Sequence, residues 1–391
     1  MSFPDSLNKK LALREQNDSL RKLPSPSKLI DFSSNDYLGF AKNEDIFHQT
    51  HALLLERNLK SNGATGSRLL SGNHVLYTET EDYIAQFHQT EAALIFNSGY
   101  DANLGFFSSV PQRNDIILYD ELCHASIRDG IQMSLAKSYK FNHNDVSDLE
   151  NLLLKFQPAP ETSGRNPQPD NIFIVTESIF SMDGDSPDLE SIVRLAEKHN
   201  AYVVVDEAHA LGVVGENGEG LVQKLKLQDK VFARIMTFGK ALGCHGAAIL
   251  GSQELKTYLV NFARSFIYTT GLSPHSMATI LVSYRYLANN TSLIQDYYCK
   301  MFSFVLQNAH NYHLHIAPIY TFLVPGNKRA KEVAQIIQQN GFDVKAILSP
   351  TVPEGKERIR ICIHSYNSQD EIVALVKVLQ SFDDLYSKKV L

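Results

Sequence analysis

The residues best suited to chemistry lie in short polar turns that follow runs of Val and Ile. Lys240 sits in Thr237-Phe238-Gly239-Lys240-Ala241-Leu242-Gly243, where an apolar run ends in a small, flexible turn carrying one lysine. A lysine amine is a nucleophile only without its proton, and burial favours that loss by penalising the charge. The turn therefore suits a carbonyl-binding lysine; a surface lysine in a glycine loop fits the same heptapeptide. Asp206 ends the run Val203-Val204-Val205 and opens Asp206-Glu207-Ala208-His209. A carboxylate at the end of a buried strand needs a partner, because a lone buried charge is costly. A protonated ring nitrogen would satisfy it; so would service as a helix N-cap or as a magnesium ligand in a nucleotide enzyme. Asp-Glu-Ala-His also occurs as a helicase box, but this chain lacks the GxxxxGK[ST] phosphate loop that such a reading needs.

Four further spots share the pattern. Asn97-Ser98-Gly99-Tyr100 follows Ala92-Ala93-Leu94-Ile95-Phe96, and small residues opening a helix leave backbone N–H groups for a phosphate. His124, in Asp120-Glu121-Leu122-Cys123-His124-Ala125-Ser126, could stack on a flat ring or carry protons, or serve structure alone. Ser181 lies in the polar turn from Glu177 to Asp185. Arg358 and Arg360 share one face of a C-terminal strand, where a guanidinium suits a carboxylate, though solvated edge-strand charge reads the same way.

These turns need a scaffold that gathers them. Short runs such as DIILYD, NIFIVTE, AYVVVDEAH and RIMTFG alternate with helical stretches such as LESIVRLAEKHN. That alternation predicts an α/β fold, a three-layer α/β/α domain around a mostly parallel sheet, with functional residues at the carboxyl tips of its strands. The expected division is an N-terminal segment over 1–44, a large domain over 45–285, and a small α+β domain over 286–391. An amphipathic helix is expected over 5–22, and one long helical stretch runs from Met277 towards residue 309. The Pro/Gly/Asn-rich stretch 157–170 reads as a surface excursion.

Composition narrows the classes. The 391 residues exceed one ordinary core, and a formal charge of −6 without a basic block argues against nucleic acid. The four cysteines are scattered with no CxxC pair, so neither a metal site nor a disulfide framework is expected, and free thiols in the cytoplasm are the plain reading. No signal-peptide stretch and no run of the roughly 20 apolar residues a membrane helix requires is present.

Taken in order, Gly63-Ala-Thr-Gly-Ser-Arg68, Asn97-Ser-Gly-Tyr100, His124-Ala-Ser126, Phe180-Ser-Met-Asp-Gly-Asp185, Asp206-Glu-Ala-His209, Thr237-Phe-Gly-Lys-Ala-Leu-Gly243 and Thr351-Val-Pro-x-Gly-x-x-Arg-Ile-Arg360 resemble the α-oxoamine synthases, pyridoxal-phosphate enzymes of fold type I. The resemblance runs from about residue 30 to 370. It implies pyridoxal 5'-phosphate held by Lys240 as a Schiff base, with Lys240 later removing the α-proton. It further implies Asp206 on the pyridine nitrogen, His209 on the ring hydroxyl, and His124 stacked on the ring. Ser98, Gly99, Tyr100 and Thr237 would surround the phosphate and ring, and Ser181 would orient the ring. Asn35 and Arg360 would grip the amino-acid carboxylate, and Arg21 would face the acyl substrate. Thr269 and Thr270 would reach the phosphate from a partner subunit, so a homodimer with shared sites is expected. The implied reaction is a decarboxylative condensation of a small amino acid, L-alanine, with an acyl thioester on coenzyme A or a carrier protein. The competing readings are a sibling reaction of the same family, that of glycine C-acetyltransferase or serine palmitoyltransferase, and, from other classes, a fold-type I aminotransferase or a non-catalytic accessory subunit. Cys244-His245, after the lysine turn, has no counterpart in the family's pattern.

Overall fold

A computed structural model describes residues 3–156, 169–308 and 316–387. The excursion at 157–170 therefore lies, apart from its last two residues, outside the described residues. The described residues fall into two compact units, one drawn from 36–181 and 185–295, the other from 3–35, 182–184 and 296–387.

A two-residue strand, β1 (Ile30–Asp31), belongs to the second unit. The first unit is built on seven strands: β2 (Ala92–Phe96), β3 (Ile116–Asp120), β4 (Lys137–Phe141), β5 (Ile172–Glu177), β6 (Tyr202–Asp206), β7 (Ala233–Thr237) and β8 (Ala247–Gly251). Their spatial order is β2-β8-β7-β6-β5-β3-β4. β7, β6, β5, β3 and β4 run parallel, and β8 is antiparallel to both of its neighbours. Side chains alternate between the faces of a strand, and the sequence exploits this to build two cores. Ile117, Phe173, Val175, Val204 and Ile235 pack on one face with Ala102, Phe106 and Ile127 from helices Gly99–Ser109 and Ala125–Met133. Ile116, Leu118, Ile172, Ile174, Val203 and Val205 pack on the other with Leu149, Leu153, Ile192 and Val193 from helices Val146–Lys155 and Leu189–His199. A sheet covered on both faces reads as continuous apolar runs. The edge strand β4 departs from that rule: Lys137 to Lys140 are exposed, and lysines on an edge discourage pairing with another chain.

The second unit carries a three-stranded antiparallel sheet of β9 (Ile319–Leu323), β11 (Lys345–Ile347) and β12 (Arg358–Cys362), ordered β11-β12-β9. The apolar stretch FDVKAIL carries two strands: β10 (Phe342–Asp343) pairs in parallel with β1, and only β11 joins β12. The helix expected over 5–22 ends at Gln16, and the long helical stretch breaks at Asn290-Thr291 into helices Pro274–Asn289 and Ser292–Asn308. Among the described residues no helix is long and apolar enough to cross a membrane.

Candidate active site

The alternation that builds the two cores also aims the carboxyls at the strand tips. Asp206 keeps the parity of Val204, and Glu177 that of Val175, so both point to the face covered by helices Gly99–Ser109 and Ala125–Met133. Parallel register sets Glu177 level with Asp206. Asp206 is buried, and its carboxylate accepts the Ala208 N–H at 2.9 Å and the Asn103 Nδ2 amide at 2.9 Å. The other Asn103 amide hydrogen goes to Ser126 Oγ at 3.0 Å. The Ser126 hydroxyl stands 2.8 Å from His124 Nδ1, which also accepts the Ser126 backbone N–H at 3.2 Å. Asp206 and His124 are thus joined through Asn103 and Ser126. His124 caps its helix, is accessible to solvent, and its main-chain N–H donates to Glu177 Oε1 at 2.5 Å. Partial withdrawal from water holds its imidazole below the usual value; Asp206 opposes that shift and the Lys240 charge adds to it.

Lys240 lies in the tight turn after β7. Gly243 N–H donates to Lys240 C=O at 2.9 Å, and Gly243 itself adopts φ +61°, where a Cβ would run into the main chain of Phe40 and Ala41. Lys240 Nζ is 2.7 Å from His209 Nε2, and His209 Nδ1 is 2.7 Å from Tyr37 Oη. His209 and Tyr37 are buried. A protonated Lys240 donates to Nε2 and leaves Nδ1–H to donate to Tyr37; a neutral Lys240 can also accept from Nε2–H, with Nδ1 then accepting from the Tyr37 hydroxyl. Beside Lys240, Cys244 Sγ donates to Leu242 C=O at 3.0 Å, and burial pushes its thiol up to about 12, so it is an inert packing group; His245 is exposed.

A candidate anion cradle lies at the start of helix Gly99–Ser109. Ser98 caps it, accepting the Asp101 N–H at 3.0 Å. A Cβ on Gly99 would lie 3.3 Å from Thr237 Oγ1, so the bare glycine backbone and the threonine hydroxyl border one space. Helix-start N–H groups lack intrahelical acceptors and favour an anion. Asn97, adjacent in sequence, donates to Thr269 Oγ1 at 3.0 Å and to Thr270 C=O at 2.7 Å, which sets both threonines beside the cradle of their own chain. Tyr100 is exposed and donates to Asp129 Oδ2 at 2.6 Å. Ser181 occupies the turn after β5, whose ends are tied by Phe180 N–H to Asp185 C=O at 2.9 Å. An amine, a buried carboxylate, an accessible neutral imidazole and an anion cradle form the donor set that a phosphorylated pyridine aldehyde needs.

In the second unit, Arg360 is buried and donates to Asn35 Oδ1 at 2.9 Å, while Arg358 pairs with Asp183. Arg21 is exposed and donates to Thr351 Oγ1 at 3.0 Å, within the Thr-Val-Pro motif. Tyr37, Asn103, Ser126 and Glu177 were not singled out from the sequence. Ser126 and Glu177 lie inside stretches quoted above, Asn103 lies one helical turn beyond Asn97–Tyr100, and Tyr37 lies close to Asn35; a polar residue that the sheet face or a helix interior must bury is the signal that could have found them. Among the described residues no group of three or more His, Cys, Asp or Glu side chains is placed to hold a metal ion.

Comparison with known proteins bears on the family and the fold. The aminotransferase class I and II family matches residues 27–379. An 8-amino-7-oxononanoate synthase of Emericella nidulans is 38% identical over 405 aligned residues, covering 97% of this chain and 95% of its own. Among solved structures, an SPT with PLP superposes with a TM-score of 0.86 at 25% identity, covering 97% of this chain and 99% of its own. The 8-amino-7-oxononanoate synthase of Francisella tularensis superposes with a TM-score of 0.75 at 26% identity, covering 92% and 99%.

Proposed function

Because the chain belongs to the class I and II aminotransferase family, we propose that it condenses L-alanine with a pimeloyl thioester to give 8-amino-7-oxononanoate, carbon dioxide and a free thiol, a step of biotin synthesis. It is an α-oxoamine synthase of fold type I, a pyridoxal-phosphate-dependent acyltransferase. The observation that supports this choice of reaction is a relative of that name at 38% identity over nearly the whole of both chains. In the reaction a bond forms between the α-carbon of alanine and the thioester carbonyl, the C–S bond breaks, and the carboxylate leaves as carbon dioxide. The α-proton goes to the thiol and the vacated position takes a proton.

Bound pyridoxal phosphate supplies a carbonyl for the amine and an electron sink for charge developing at the α-carbon. The chain's own residues do the rest. Asp206 keeps a proton on the ring nitrogen, and Asn103 and Ala208 fix its two oxygens so that the carboxylate does not swing away. Lys240 binds the carbonyl and carries the α-proton; His209 and Tyr37 accept or return a proton at Nζ as the amine changes charge. His124 would stack on the ring, and its Nδ1 is pinned by Ser126. Ser98, Gly99, Tyr100 and Thr237 hold the phosphate with Thr269 and Thr270, and Ser181 orients the ring. Arg360, set by Asn35, grips the amino-acid carboxylate, and Arg21 meets the acyl chain. Holding the reacting bonds in line is worth on the order of 7 kcal/mol in favourable cases. The enzyme works as a homodimer in the cytoplasm under this reading.

The test is the visible absorbance of the purified protein as L-alanine, glycine and L-serine are added separately, with thiol release assayed alongside. A yellow band that responds most to alanine, with thiol release from pimeloyl-coenzyme A, is the expected result. A stronger response to serine would move the reaction to serine palmitoyltransferase, a reading favoured by the higher TM-score, 0.86 against 0.75. A protein that stays colourless with pyridoxal phosphate would overturn the role of Lys240.

A further inference from the structure

Three carboxyls stand at the tips of β3, β5 and β6, and they are not provided for equally. Asp120 accepts the Leu122 N–H at 2.9 Å, the Asn144 N–H at 2.8 Å and His143 Nδ1–H at 2.9 Å. Asp206 accepts two N–H donors, from Asn103 and Ala208. Glu177 is 3% exposed, and its carboxyl accepts one hydrogen bond among the described residues, from the His124 main chain. It also stands level with the Asp206 carboxylate on the same face. A buried carboxylate is stable when several donors or a cation meet it; one donor and a neighbouring negative charge favour the neutral acid. We propose that Glu177 keeps its own proton in the folded protein and anchors His124 as a neutral carboxyl, leaving the negative charge of the pair on Asp206. The charged and titratable groups whose fields reach it are Asp206 from β6, Asp120 and the buried Cys123 from β3 and its turn, His124 from the following helix, and Lys240 from the turn after β7.

Burial, and then the Asp206 charge, push Glu177 from 4.5 up to about 8, against the opposing pull of the His124 N–H and Lys240. Glu177 is thus a positioning residue: it fixes the main chain from which the His124 ring projects without competing with Asp206 for a cation. That role rests on the pyridoxal-phosphate reading of the site; the protonation state does not.

The experiment compares unfolding of the full-length protein and of Glu177→Gln from pH 5 to pH 9. A folded value above the unfolded one gives stability that is complete below about pH 4.5 and declines as pH rises to about 8. Gln has no such decline. The unfolding equilibrium of the unmodified protein should therefore worsen relative to Glu177→Gln by up to about tenfold per pH unit through that window, then level off. A gap that stays flat across it would overturn the proposal. If Glu177→Gln does not fold, 13C-labelled glutamate in the unmodified protein gives the answer directly. One carboxyl titrating near pH 8 is expected, and every carboxyl titrating below about pH 6 refutes it. For the positioning role, Glu177→Leu removes the acceptor of the His124 N–H, and kcat should fall at least about tenfold below that of Glu177→Gln, because a buried donor is left unmet. Equal kcat in the two variants would overturn that role and leave the cofactor assignment standing, since the visible band tests the latter by itself.

Discussion

Asp206 and Asp120 end two parallel strands of one sheet, yet the protein treats them in opposite ways. Asp206 faces the helices Gly99–Ser109 and Ala125–Met133, and the donors the structure gives it are neutral: an amide side chain and a backbone N–H. Asp120 has the parity of Leu118 and faces the other core, where His143 bridges it to Asp185, with Nδ1 at 2.9 Å from Asp120 and Nε2 at 2.7 Å from Asp185. Burial alone would lower the His143 imidazole, but the two carboxylates push it up to about 10, so it is a cation throughout the ordinary pH range. One carboxylate has its charge cancelled within the protein and serves as structure. The other is oriented by neutral donors that leave its charge uncancelled, as the proposed pyridine role requires. Strand-end position does not separate the two; the charge of their donors does.

The comparison breaks most sharply at Lys240, which lies on the Asp206 side. Lys240→Ala should abolish turnover, by about 10³-fold or more, with little change in thermal stability; near-normal activity would sink the assignment. Asp206→Asn keeps the hydrogen-bonding shape and removes the charge, so it should retain cofactor while kcat falls about 10²-fold or more. An unchanged rate would place Asp206 with Asp120 as a structural carboxylate. On the other side, His143→Gln should leave much of the rate and cost about 2 kcal/mol of stability, since breaking a partly buried ion network strands its carboxylates. Its sign with pH is fixed. A raised folded value gives stability that is fully present below the unfolded value of 6.5 and is lost as pH rises through about 10. The gap in melting temperature between the unmodified protein and His143→Gln should therefore hold steady below pH 6.5 and narrow towards pH 10. A gap that widens instead would show that His143 is neutral in the folded state.

The strands that carry this contrast are legible in the sequence, though the contrast itself is not. The runs ending in Asp120, Glu177, Asp206 and Thr237 are β3, β5, β6 and β7, because strands buried on both faces leave an apolar signature that polar neighbours do not blur. The edge strand Lys137–Phe141 was invisible for the converse reason: its exposed residues are those of a polar loop. The break at Asn290-Thr291 was hidden by apolar spacing that continues on both sides. At the candidate site, Lys240 and Asp206 stand out by type and place, while His209 enters through the family resemblance. Tyr37 and Asn103 did not, because their roles come from partners 172 and 103 positions away in the chain. Spacing within a motif is local information, and a hydrogen bond across the sheet is not.

The smallest expected effect tests how redundantly the Asp206 side is held. Ser126 Oγ accepts from Asn103, so its hydroxyl hydrogen is left to donate to His124 Nδ1. Nδ1 is thereby an acceptor, and the imidazole carries its proton on Nε2. The Ser126 backbone N–H makes the same demand on Nδ1, and no side-chain substitution removes it. Ser126→Ala should therefore keep the tautomer and ring orientation and lower kcat by less than about fivefold, the cost of one neutral hydrogen bond. Asn103→Ala removes a direct donor to Asp206 and should cost more, because the carboxylate loses one of the two groups that fix it. A larger loss from Ser126→Ala than from Asn103→Ala would mean that the ring of His124, rather than the carboxylate of Asp206, is the group this network exists to place.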